Sequence, residues 1–305
     1  MPRMARQKTY DAIFHIMCKS ITEVDLFKDD LDKLKYLTLV KEYQKMFNFK
    51  VYGYCLMDNH VHMLIDANGS DISLVMHGIN YSYAGYFNRK HHRHGHLFQD
   101  RFKSKMVNTE GYLYALSAYI HNNPTKIKGY EKNPQKYIFS SLSVYLGLNQ
   151  DPYEIINDSF ILGMFGKKQK TARKNYMRLV FRSDYKRIRE DAEFANEETE
   201  YRSQRKILVR DTDPEKIIEF ISSKLNVAHI KIHMKNGRGE ELVEAKALLA
   251  VLMRGLCNAR CADICRVLGS ISQSRASTLC SYGLELMDTA KYREIAEEFL
   301  KDKVS

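Results

Sequence analysis

The run Asn59-His60-Val61-His62-Met63-Leu64-Ile65 sets two imidazoles at alternate positions of an otherwise apolar stretch. Side chains alternate across a strand, so His60 and His62 point to one face and Val61 and Met63 to the other. Polar rings in a segment that a sheet would bury need partners. A divalent cation is one such partner, because neutral imidazole is a common ligand. Hydrogen bonds inside a core are another, and the pair alone leaves both readings open.

A second group of residues lies in Gly111 to Pro124 (GYLYALSAYIHNNP), which reads as a helix stopped by its proline. Tyr119 and Asn123 are four apart and share a face at the helix end, while Leu113, Leu116 and Ile120 suit the sheet side. Tyr112 and Tyr114 read as half-buried packing residues. Two imidazoles and an amide oxygen would leave a hard cation open positions for water and a phosphate oxygen. His121 is predicted to face away from Tyr119.

The elements that must position these groups follow from periodicity. Strands are expected over 9–20, 49–57, 60–66 and 96–107, with Asp58-Asn59 as a tight turn between the second and third. Helices are expected over 29–47, from a Ser70 or Asp71 cap to 89, and over 109–122. This β-α-β-β-α-β-α order predicts an α+β fold, a ferredoxin-like split βαβ antiparallel sheet with helices on one side. The first domain is expected to span 1–150, followed by a charged helical linker over 151–205. A mostly helical domain over 206–305 completes the chain, with helices over 213–225 and 240–256 and two short ones around Gly269.

Five blocks together carry a family resemblance. They are Tyr10 to Ser20, Tyr54 to His62 (YCLMDNHVH), Gly95 to Lys103 (GHLFQDRFK), Tyr119 to Pro124 (YIHNNP) and Ser140-Ser141-x-x-x-Tyr145-Leu146-Gly147. In order and spacing they resemble the signature of the REP-associated tyrosine transposases, which are single-tyrosine HUH endonucleases with an IS200-like transposase domain. The resemblance covers about residues 1 to 147. It implies that His60 and His62 are metal ligands, that Asn123 is the third, and that Tyr119 is the nucleophile. It further implies Mg2+ or Mn2+ as cofactor, and cleavage and rejoining of single-stranded or hairpin DNA through a 5′-phosphotyrosine. A domesticated DNA-binding regulator that keeps the fold without cleavage is the alternative.

Charge and composition agree with such a partner. Lys and Arg number 48 against 37 Asp and Glu, a net charge of +11 that favours an anionic partner such as nucleic acid. With 44% apolar residues the chain can bury a core, which excludes a wholly disordered protein. No membrane-spanning run and no signal-like start are visible, and six cysteines without a C-x-x-C pair suggest a reducing compartment, so a cytoplasmic protein without a membrane partner is expected. A homodimer is an option that composition leaves open. Cys257, Cys261 and Cys265 recur every fourth residue and are read as lining one helix face.

Further DNA contacts are expected from Arg101, Lys103 and Lys105, alternating on one strand face, with Phe98 and Phe102 on the core side. The loop His91 to His96 reads as a phosphate-contacting or solvated segment. Gly166 to Arg189 holds ten Lys and Arg, and Glu190 to Glu200 six Asp and Glu; such blocks first suggest a solvated helix or linker. Ala262 to Leu279 resembles a helix-turn-helix, and with 240–256 it resembles the C-terminal DNA-binding domain of the replication initiator DnaA. In that reading Gln273, Ser274, Arg275 and Ser277 face DNA, and an ordinary three-helix bundle is the alternative. A chain cut at residue 150 is expected to keep the chemistry, with Lys167, Lys168, Lys170, Arg173 and Arg275 adding phosphate contacts.

Overall fold

The computed structural model describes residues 12–22, 24–182, 210, 212–234, 239–257 and 259–300. Residues 9–11 of the first expected strand, 183–205 of the expected linker and the acidic run 190–200 lie outside the described residues. The chain divides into two compact units, one formed by 1–41, 49–67 and 76–203, the other by 42–48, 68–75 and 204–305.

The first unit is built on a four-stranded sheet: β1 (Ile13–Lys19), β2 (Lys50–Met57), β3 (His60–Asp66) and β4 (Lys103–Met106). The strand order is β2-β3-β1-β4 and every pairing is antiparallel. With α1 (Asp30–Phe47), α2 (Ile72–Lys90) and α3 (Glu110–Asn122), this gives the expected α+β order. The β2–β3 hairpin closes through Asp58-Asn59, and Lys33 of α1 holds Asp58 at 2.7 Å.

β4 is shorter than the expected strand over 96–107. Only Phe14 to Met17 of β1 pair with it, and the upstream chain touches the sheet at a single bridge between Ser20 and Phe98. Between that bridge and Lys103 no strand pairs with the chain among the described residues, so an alternating pattern reads as strand where a partner is lacking.

The register decides which residues share a face. Met17 lies opposite His62 and His15 opposite Leu64, so the odd positions of β1 and the even positions of β3 form one face. On the other face Cys18 meets Tyr36 of α1 and Asn80 of α2, which places α1 and α2 together on that side. α3 covers the histidine face, bringing Tyr119 against His62, so helices lie on both faces of the sheet and not on one side as expected.

The first unit continues past residue 150 through α5 (Ser159–Gly163) and α6 (Gln169–Arg182); α4 (Leu142–Tyr145) precedes them. On α6, Ala172, Tyr176 and Val180 are buried at four-residue steps. The Tyr176 hydroxyl lies 2.6 Å from His121 Nδ1, tying α6 to α3.

The second unit is helical. It contains α7 (Pro214–Leu225), α8 (His229–Ile232), α9 (Glu240–Leu256), α10 (Cys261–Val267), α11 (Gln273–Met287) and α12 (Ala290–Leu300). α9 is its centre, buried without interruption from Ala245 to Met253. Gly283 of α11 lies so close to the Ala247 carbonyl that a Cβ there would collide with it. Of the two helices flanking Gly269, expected to be short, the one that follows it, α11, is long, 15 residues. Cys257, Cys261 and Cys265 do not share one helix either, since Cys257 ends α9 and Cys261 opens α10.

Candidate metal and tyrosine site

His60 and His62 point to the same side of β3, their rings 4.8 Å apart and nearly perpendicular. His60 Nδ1 lies 2.5 Å from Asn59 Oδ1. An amide oxygen only accepts, so the hydrogen is on Nδ1 and the Nε2 lone pair is left for a ligand. His62 Nδ1 lies 3.0 Å from Nε2 of His15 on β1, and with the hydrogen on His62 Nδ1 its Nε2 is likewise left. Burial, the largest cause, and then Lys126 and Lys19 lower the His60 pKa to about 4. Burial and then the His15, His60 and Lys126 charges push His62 well below its ordinary value. Both rings are therefore neutral near pH 7, the form that binds metal.

Tyr119 stands over this pair, its ring 5.6 Å from that of His62 in an edge-on arrangement, and it is only 8% exposed. The helix that carries it is capped by Thr109, whose side chain accepts from Tyr112 N. α3 does not simply stop at Pro124. It tightens into a 3-10 turn over Asn123–Lys126, with the proline in its first turn, where no amide donor is needed.

That turn sets the last two residues of the site. Asn123 is buried; its Nδ2 donates to the Tyr119 carbonyl at 2.9 Å, and its Oδ1 accepts from Lys126 Nζ at 2.9 Å. The Lys126 ammonium also lies 5.2 Å from the centre of the Tyr119 ring. The donor set fits a divalent ion at the two imidazoles. The Asn123 oxygen has a second lone pair to offer, but two cations on one oxygen would repel each other.

His121 faces away, as expected. It is fully buried, with Nδ1 on Tyr176 and Nε2 2.7 Å from Ser141 Oγ. Burial lowers its pKa to about 3. The Ser140-Ser141-x-x-x-Tyr145 block turns out to be a strut: Ser141 N donates to the Tyr54 carbonyl at 3.1 Å, Ser141 Oγ accepts from Tyr54 N at 2.9 Å, and the Tyr145 hydroxyl donates to the Tyr52 carbonyl. β2 is bulged at Gly53, where a Cβ would already be 3.4 Å from His121 Nε2.

The basic residues are dispersed. Lys103 is exposed and Lys105 half-buried on β4, with Lys105 5.3 Å from the centre of the Tyr112 ring, whereas Arg101 precedes the strand. Phe102 is buried and Phe98 half-buried. In the histidine loop, His91 is spent on Asp32 at 2.9 Å while His94 and His96 are exposed.

Groups of three histidine or carboxylate ligands occur, among the described residues, at Asp29-Asp32-His91 and at Glu215-His229-His233. Neither contains His60 or His62, and Asp32 already holds Lys90. In the second unit Gln273, Ser274, Arg275 and Ser277 are all exposed in the first turns of α11, which Ser272 caps through Arg275 N.

Residues 8–123 match the family described as transposase IS200 like. The IS200-like segment thus contains all of β1 to β4, both histidines, Tyr119 and Asn123, and it ends before Lys126. A solved structure of a REP-associated tyrosine transposase bound to a REP hairpin is similar over 52% of this chain and 93% of its own, at 15% identity and a TM-score of 0.41. Comparison with curated proteins gives no match. No helix among the described residues is long and apolar enough to cross a membrane.

Proposed function

We propose that this chain is an IS200-like transposase, a DNA strand transferase that cleaves and rejoins single-stranded or hairpin DNA through Tyr119. The observation that supports this reading is the pair of neutral imidazoles on β3 with the Tyr119 ring of α3 packed edge-on against His62. In the step proposed, the Tyr119 oxygen attacks the phosphorus of a phosphodiester, a 5′-phosphotyrosine bond forms and the bond to the 3′ oxygen breaks. The phenol proton is lost and the departing oxygen gains one, leaving a 3′-hydroxyl. Attack by a 3′-hydroxyl reverses the step, so no ATP is required.

His60 and His62 would hold Mg2+ or Mn2+, with Asn123 as a third ligand only once Lys126 leaves its oxygen. Such an ion neutralises charge on a non-bridging phosphate oxygen. The chain's own residues do the rest. His15 and Asn59 fix the two ligand rings. The Lys126 ammonium favours negative charge developing on the phenol oxygen. Asn123 holds the last turn of α3 in place by bonding its backbone. His121, with both ring nitrogens engaged, does not serve as the base.

In the second unit, α10, the turn at Gly269 and α11 support a helix-turn-helix reading, with Gln273, Ser274, Arg275 and Ser277 toward DNA. A regulator that binds DNA without cutting it is the competing function. Incubation with end-labelled single-stranded DNA and Mn2+, followed by denaturing electrophoresis, separates the two. A covalent adduct lost in Tyr119→Phe supports the enzyme; a full-length chain that binds DNA without forming any adduct supports the regulator.

A further inference from the structure

α6 has two functional faces. Ala172, Tyr176 and Val180 point into the first unit, and Tyr176 bonds His121 on the nucleophile's helix. Lys170, Arg173, Lys174 and Arg178 lie at three- and four-residue steps along another face and line a groove of about 880 Å3. Its opposite wall is Gln135, Leu146 and Leu148, the end of the strut that braces β2.

Three features suit this groove to one kind of occupant. Its lining contains four cations and no carboxylate among the described residues. Apolar surface lies between those cations: Leu148 is 60% exposed, Met177 42% and Phe181 48%. Solvated helix faces seldom leave an aromatic ring and two long apolar chains in water beside a row of charge. Finally, Arg173 is fixed rather than loose. Its guanidinium lies against Gly147, where φ is +69° and a Cβ would collide with it, and its Nε is buried without a hydrogen-bond partner.

We propose that this groove binds single-stranded DNA, with the four cations tracking phosphates and Phe181 stacking on a base. Phosphates alone would need only the charges; the exposed ring and apolar wall fit unpaired bases, which a duplex keeps stacked inside. The inference rests on the first unit acting on DNA. It assigns to α6 the holding of an unpaired strand, on the same helix that braces α3.

The test uses the full chain carrying Tyr119→Phe, in EDTA, so that cleavage chemistry has no part in it. Binding of a labelled oligo(dT) is followed by anisotropy across a salt series. The triple change Lys170→Gln, Lys174→Gln, Arg178→Gln is expected to weaken binding and to flatten the plot of log affinity against log salt by about 2, near 0.7 per lost phosphate contact. Phe181→Ala is expected to weaken binding about tenfold with its slope unchanged, as loss of one stacked base does. Removing three charges from the second unit, at Lys216, Lys224 and Lys231, controls for net charge and should leave the slope nearly as it was.

Melting curves matched to the parent establish folding, and Arg178→Gln alone, with a slope change of about 0.7, replaces the triple if that fails to fold. An unchanged slope in the folded triple overturns the proposal. So does a loss confined to a blunt duplex of equal length, or tighter binding of polyglutamate than of oligo(dT), which would assign the groove to a duplex or to an acidic protein. Failure of the adduct assay with a positive result here would sink the Tyr119 chemistry and leave the groove standing.

Discussion

His15 and His62 meet ring to ring across β1 and β3, Nε2 to Nδ1 at 3.0 Å with the planes 21° apart. His15 thereby fixes which nitrogen of His62 is offered for ligation. His15→Ala is expected to raise the Mn2+ concentration for half-maximal adduct formation by about 10- to 100-fold, the usual range for partners that orient a ligand. His15→Gln keeps a hydrogen-bonding group there and should recover part of the loss. Equal Mn2+ dependence in parent and His15→Ala would remove His15 from the site.

The double change His60→Ala, His62→Ala is expected to abolish adduct formation and the rise in melting temperature on adding Mn2+. DNA affinity should change little, because phosphate contacts elsewhere supply most of it. Calorimetric melting with and without Mn2+, beside the same adduct assay, checks both parts.

A chain ending at Arg182 is expected to form the adduct, whereas one ending at Gln150, contrary to the expectation from the sequence, is not. The shorter chain removes Tyr176 from His121 and uncovers the buried side of α3 that α6 packs against. Leaving His121 Nδ1 without its partner while Nε2 keeps Ser141 costs about 1–3 kcal/mol where the nitrogen stays buried, before any loss of apolar burial is counted. Comparing far-ultraviolet circular dichroism, melting and adduct yield of the two chains tests this directly.

Gly283→Ala is expected to destabilise the second unit by about 1–3 kcal/mol, because the added methyl must push α11 away from the Ala247 carbonyl. Thermal melting should show the loss without any change in the Mn2+ dependence of the adduct. A melting curve identical to the parent's would mean that α9 and α11 do not cross at this point.

Arg275→Ala tests the helix-turn-helix reading. Arg275 is exposed in the first turn of α11, where a recognition helix contacts DNA. Binding to a hairpin should weaken, with a salt slope smaller by about 1. Unchanged hairpin binding would leave α10 and α11 as parts of an ordinary bundle.

Local pattern made much of this legible. The β2–β3 hairpin follows from two runs of strand-forming residues around Asp58-Asn59, and the shared side of His60 and His62 follows from alternation alone. Tyr119 and Asn123 emerge from four-residue spacing before a proline. What stays hidden in the sequence depends on register and on distant chain. His15 joins the site only because β1 pairs with β3 so that Met17 faces His62. Lys126 lies beyond the proline, where the spacing rules of a helix no longer apply, and only the 3-10 turn brings it back over Tyr119.

The errors have similar causes. The polar and apolar alternation after His96 resembles a strand, but strands need partners, and β1 offers four residues to β4. Four-residue spacing of the cysteines suggests one helix, yet it straddles the break between α9 and α10. The basic helix α6 reads from charge as a solvated linker. Its buried stripe of Ala172, Tyr176 and Val180 is equally present in the sequence, and that stripe seats it in the first unit.

α3 is fastened to two neighbours near its C-terminal end and capped there by its own following turn. His121 joins it to the β2 strut through Ser141 and to α6 through Tyr176, and Asn123 holds the Tyr119 carbonyl from the following turn. A helix anchored in this way is a post and not a swinging arm. A DNA end esterified to Tyr119 would stay where it was cut, so the geography of rejoining falls on the DNA: the acceptor strand must travel to a stationary end, and whatever folds or steers that strand chooses the product.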